Sequence, residues 1–158
     1  MKTLLIILIL GAAAYWGYKH LDAEPNFDHP VYAQVRINMP AANRNLEFVL
    51  FGLMSSEKEC RKETKTAFEK MIEKCDQCSM SVSACTPELE PRYQKLFNDQ
   101  PINTTYIKFS RKAKDERAAR MVIWGVTRDE SQRFCALVRT ELQPKFTGEI
   151  SCIEARPE

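Results

Sequence analysis

Histidine is scarce in this chain. There are two, His20 and His29, and both precede the first segment with strand or helix periodicity. Without an imidazole nearby, the later serines and cysteines have no evident general base, so Ser-His-Asp and Cys-His nucleophilic chemistry has no candidate set. Glycine is equally thin. Only Gly52, Gly125 and Gly148 lie beyond residue 20, too scattered to cradle phosphates, and neither a Walker A pattern nor GxGxxG occurs. An excess of one charge is missing too. Beyond residue 22 there are 21 Lys plus Arg against 20 Asp plus Glu, which leaves no electrostatic footprint for nucleic acid. No cofactor pattern is present, and nothing in the sequence points to catalysis.

What is present begins with grease. Lys2 is followed by an unbroken apolar run from Leu4 to Trp16. A secretory h-region needs roughly 7–15 apolar residues, and a spanning helix about 20. Tyr15, Trp16 and Tyr18 sit where an interfacial aromatic belt would, followed by Lys19. Residues 1–20 are therefore expected to be an uncleaved, single-pass anchor in an inner membrane. Cleavage at Ala12-Ala13-Ala14 is the alternative and would release the remainder into the periplasm. Either way Lys2 stays inside and the rest is exported. Residues 21–30, LDAEPNFDHP, read as a linker, and residues 31–158 as one domain with enough length to bury a core.

Within that domain VYAQVRI (31–37) alternates as a strand, NMPAANRN is a loop, and LEFVLFG (46–52) is a second strand. Ser56 and Glu59 form a capping box ahead of a helix over 57–75. SMSVSAC continues as a strand, and residues 87–98 as a small helix with Leu89, Tyr93, Leu96 and Phe97 inward. Strands at 103–110 and 117–125 flank the charged turn RKAKDE. A second capping box, Thr127 with Glu130, opens a helix to Leu142, and EISCIEA follows as the last strand. The order predicts an α+β fold, a split β-α-β ferredoxin-like sandwich with an antiparallel sheet and helices mainly on one face.

Six cysteines in an exported chain are expected to pair, although six allow 15 connectivities. Cys75-Asp76-Gln77-Cys78 falls at the C-terminal end of its helix, where the dipole disfavours a thiolate, so thiol–disulfide exchange at Cys75 and Cys78 is a secondary reading. A zinc set of Cys60, Cys75, Cys78 and Cys85 would suit a cytosolic protein instead. The rises of helix and strand favour a staple. Cys135 lies about 10 Å back from its helix end, and Cys152 about 10 Å along the returning strand. Cys60 and Cys85 come level in the same way at roughly 20 Å. The expected bridges are Cys60–Cys85 and Cys135–Cys152, leaving Cys75–Cys78, and no metal is expected.

Strand alternation puts Phe51, Tyr106, Lys108, Arg120 and Trp124 on one sheet face. Those aromatics beside cations would suit stacking on sugar rings or docking a partner protein. The competing reading is a second core layer, covered by the 88–98 helix or the 31–37 strand. The sequon Asn103-Thr104-Thr105 has meaning only in a eukaryotic secretory route.

VLFGLMSSEKEC and VIWGVTRDESQ, each a strand ending in glycine before a helix, resemble the repeats of the SPOR family of bacterial envelope domains over roughly residues 46–154. The resemblance implies a ferredoxin-like fold and binding of peptidoglycan glycan strands across the sheet face. Together these readings expect a non-catalytic binding or scaffolding domain of the bacterial envelope. Its expected partners are the inner membrane and a cell-wall glycan or envelope protein.

Overall fold

The computed structural model describes residues 27–41, 43–72, 75, 77–112 and 118–156. The anchor expected at 1–20, most of the linker and the centre of the RKAKDE turn lie outside the described residues. Among those described, no helix is long and apolar enough to cross a membrane.

β1 (Val31–Ala41) and β2 (Arg44–Met54) form a long antiparallel hairpin, in register from Val31 opposite Met54 to Ala41 opposite Arg44. The sequence suggests a loop at NMPAANRN, but both strands run through it. Pro40 is tolerated there because β3 ends opposite Asn38, so Pro40 lies where β1 has only one neighbour and a missing N–H costs least. α1 (Glu57–Ile72) follows, then β3 (Ser79–Thr86). A short α2 (Pro91–Phe97) separates this half from the next: β4 (Tyr106–Ser110), β5 (Ala119–Trp124), α3 (Arg128–Leu142), a 3₁₀ turn at Gln143–Lys145, and β6 (Glu149–Ile153).

All six strands join one antiparallel sheet in the order β3-β1-β2-β5-β4-β6. The molecule is thus α+β, built from two β-β-α-β halves that meet at β2 and β5. Each β-α-β unit is split, but by the leading strand of its own half. A ferredoxin-like sheet would interleave strands from opposite halves, so the observed order departs from that expectation. Hairpin pairing is local and closes early in sequence, which favours β1 and β4 as the inserted strands.

The two long helices share one sheet face. α1 packs its Cys60 with Ala33 and Met54, and α3 packs Cys135 with Ile107 and Ile150. Both α1 and α3 are then bonded covalently to the outermost strand of their own half. Cys60–Cys85 reaches β3 with Cα atoms 6.0 Å apart, and Cys135–Cys152 reaches β6 at 5.9 Å. These are the pairs that helix and strand rise predict. Cys75–Cys78 closes a local turn, with the Cys78 N–H donating to Cys75 O at 3.1 Å.

Local signals place the helix starts. Thr127 and Glu130 form the expected capping box on α3. At α1 the Glu59 N–H donates to Ser56 Oγ, but its carboxylate accepts from Ser55 N–H and Oγ–H, one residue earlier than the standard box. The turn from β5 into α3 needs Gly125, which has φ +82° and no room for a Cβ beside Asn45 O.

Arg44 at the start of β2 reaches the α3 cap of the other half, giving two hydrogen bonds to Glu130 at 2.9 and 2.7 Å. That hydrogen-bonded guanidinium, helped by the Thr127 N–H, holds the Glu130 carboxyl down at about 2. A depressed carboxylate stabilises the fold above the unfolded-state value and loses that contribution as pH falls. An acid-destabilising component is therefore expected between about pH 4.5 and about pH 2. Comparing wild type with Glu130→Gln by urea unfolding at several pH values measures it, and the variant should lack that component.

Candidate functional site: a cationic cleft beside Trp124

The sheet face opposite the long helices carries, by register, Arg36 of β1, Glu47, Val49 and Phe51 of β2, Arg120, Val122 and Trp124 of β5, and Tyr106 and Lys108 of β4. α2 lies across the middle of it. Pro91 stands in the first turn of α2, where a missing N–H is already unsatisfied. At the other end Asp99 takes φ 52°. There the Gln100 N–H donates to Lys95 O at 2.9 Å and the Asp99 N–H to Leu96 O at 3.3 Å, a Schellman ending.

Leu89, Tyr93 and Leu96 pack onto Val49, Phe51, Tyr106 and Val122 as one buried cluster. This corrects the binding expectation for three of its five residues. Phe51, Tyr106 and Arg120 are each 0% exposed, so they form a second core layer and not a ligand surface. A helix over the sheet buries apolar area that bare strands would leave wet.

Arg120 is the strut beneath that helix. Its Nε–H donates to Leu96 O at 2.9 Å, one terminal nitrogen donates to Ala119 O at 3.0 Å, and the other pairs with Asp99 at 3.1 Å. Its guanidinium also lies 5.1 Å from the centre of the Phe97 ring. Lys108, which is partly exposed, pairs with the other oxygen of Asp99. Burial, reinforced by the Asp99 charge, pushes the Tyr106 phenol up to about 12, so it stays neutral across the physiological range.

Trp124 escapes the lid. It stands at the end of β5, opposite Glu47, partly buried against the edge of the α2 cluster. Beside it opens a cleft of about 700 Å³ whose walls come from β1, β2, α2, the 101–103 loop, α3 and the C-terminal tail. Its cations are Arg36, Arg92, Lys95, Arg128 and Arg156, against one lining carboxylate, Glu47.

Arg36 donates to the Tyr93 hydroxyl at 2.7 Å and lies 2.7 Å from Glu47 Oε1. That ion pair is a charge contact without hydrogen-bond alignment, and both Arg36 Nε and Glu47 Oε1 are buried without a hydrogen-bond partner. Arg92 pairs with Glu90 at 2.8 Å and sits 4.5 Å over the Tyr93 ring. Arg128 donates to Ala155 O at 3.2 Å and Arg156 to Pro101 O at 2.8 Å.

Of the five residues expected on that face, Trp124 alone lines this cleft, while Lys108 is partly exposed and pairs with Asp99. The sequence expectation missed Arg36, Arg92, Lys95, Arg128 and Arg156. Arg36 carries a legible signal, since it is the charged residue on the polar side of VYAQVRI. The others meet only through tertiary packing.

The six cysteines are all in disulfides. The conceivable zinc set is divided between two of these bonds, and no other His, Cys, Asp and Glu cluster among the described residues could hold a metal. No family model, curated protein or solved structure matches the chain.

Proposed function

We propose that this chain is an exported, disulfide-braced, non-catalytic binding domain of the bacterial cell envelope, tethered by residues 1–20, and that the cleft beside Trp124 is its ligand site. The observation that carries the binding reading is that cleft: concave, part apolar and lined by a cluster of cations in a chain of nearly balanced charge. Three disulfides support the oxidising compartment, and the leader in the sequence supports the route to it. A cell-wall glycan is the favoured ligand, with an envelope protein as the other candidate. The site moves from the sheet's centre, which α2 covers, to its open end.

Retention of the full chain on purified cell-wall sacculi tests this. Wild type should be retained, and Trp124→Ala should fall at least fivefold while keeping its folded circular dichroism spectrum. Equal retention of the two proteins would remove the cleft as the site.

A further inference from the structure

We infer that the cleft selects a small organic anion, a carboxylate or phosphate carried on a ring that lies against Trp124. This rests on the cleft being the ligand site and adds the chemistry of what enters it.

The five cations are not equivalent. Arg36 faces Glu47, and Arg92 is matched by Glu90. Lys95, Arg128 and Arg156 have no carboxylate partner among the described residues. Two of these three are nonetheless held in place. Arg128 spends an N–H on Ala155 O, and Arg156 spends one on Pro101 O while its main-chain N–H donates to Ile102 O at 2.8 Å.

A main-chain carbonyl orients a guanidinium without neutralising it. The remaining N–H groups of a fixed fork then offer paired donors matched to carboxylate or phosphate oxygens. Cations already oriented lose less entropy when an anion arrives. Exposed cations that merely solvate a surface need no such tethers, and here two tethered cations border one cavity.

Size and wall chemistry narrow the class further. A cleft of about 700 Å³ lies within the range for small-molecule sites. Pro101, Ile102 and Trp124 give it an apolar side, and an indole face favours a ring laid flat upon it. Glu47, opposite Trp124 in the sheet, keeps the Arg36 end from being a second anion seat. The result is one anion-binding region and one stacking wall, a pattern that fits an acidic sugar or a sugar phosphate better than a neutral one.

The test follows the Trp124 indole N–H signal by NMR in the isotope-labelled full chain, held in detergent micelles. The titrants are glucuronate, glucose 6-phosphate, glucose and inorganic phosphate. Trp124→Phe identifies the signal against that of Trp16. Glucuronate, glucose 6-phosphate or both should move it with at least tenfold higher affinity than glucose, and whichever acid binds more tightly names the source of the charge.

Lys95→Gln combined with Arg128→Gln should weaken that binding at least tenfold, whereas Lys65→Gln on α1 should leave it unchanged. Raising salt from 50 to 300 mM should weaken it several-fold. Glucose binding as tightly as the acids would overturn the anion inference while leaving the cleft as a ligand site. Silence of the indole signal toward all four titrants would overturn the inference as well. Failure of the cleft reading itself shows separately, as unchanged retention of Trp124→Ala on sacculi.

Discussion

Replacing Cys60, Cys85, Cys135 and Cys152 together with alanine is expected to leave the domain largely unfolded at 37 °C. The two bridges close segments of 25 and 17 residues, and loops of that length restrict the unfolded chain by about 3 kcal/mol each. Their sum approaches the whole stability of an ordinary domain, about 5–15 kcal/mol. The position of the bridges adds to the effect. β3 and β6 are the two edges of the sheet, so each has a single strand neighbour and the bond to its helix supplies the other restraint. Either pair removed alone should lower stability by about 3 kcal/mol in urea unfolding. Removing Cys75 and Cys78, only three residues apart, should cost clearly less. Equal stability of the quadruple variant and wild type would show that the bridges are incidental.

Arg120→Met should be the most damaging single change, costing about 3–5 kcal/mol. The guanidinium is completely buried, and its acceptors include Leu96 O, Ala119 O, Phe109 O and the Asp99 carboxylate. Methionine fills part of the volume but leaves the carbonyl beneath α2 without its donor. Arg120→Lys keeps the charge and should rescue little, because an ammonium cannot present the same planar fork to acceptors on several sides. Lys108→Met, which removes only a partly exposed partner of Asp99, should cost under about 1 kcal/mol. Chemical denaturation of the three variants checks the order, and a mild Arg120→Met would mean that α2 is held by its apolar contacts alone.

The contrast between Arg120 and Trp124 shows what could be read from the residues in advance. Alternation correctly grouped Phe51, Tyr106, Lys108, Arg120 and Trp124 on one side of the sheet, because side-chain direction in a strand is a local property. What lies over that side is not local. Leu89, Tyr93 and Leu96 read as the inner face of a small helix, but nothing in PRYQKLF says which strands it crosses or where it stops covering them. Capping at Thr127 and Glu130 was legible for the same reason as alternation, since the box is closed within four residues.

The sulfur pairings were legible because helix and strand rises are fixed lengths. Strand order was not, because either the partner half or a hairpin neighbour can split a β-α-β unit. The cleft was the least legible feature of all. Its cations come from β1, α2, α3 and the tail, and only the closed fold gathers them.

The proposed bracing requires sulfur to be oxidised where this protein works. The direct measurement is alkylation of the native protein in intact cells, followed by peptide mass mapping without reduction. The expected result is no alkylated cysteine and three linked peptide pairs, Cys60 with Cys85, Cys75 with Cys78 and Cys135 with Cys152. Six alkylated cysteines, or Cys60 and Cys85 joined to other partners, would contradict it.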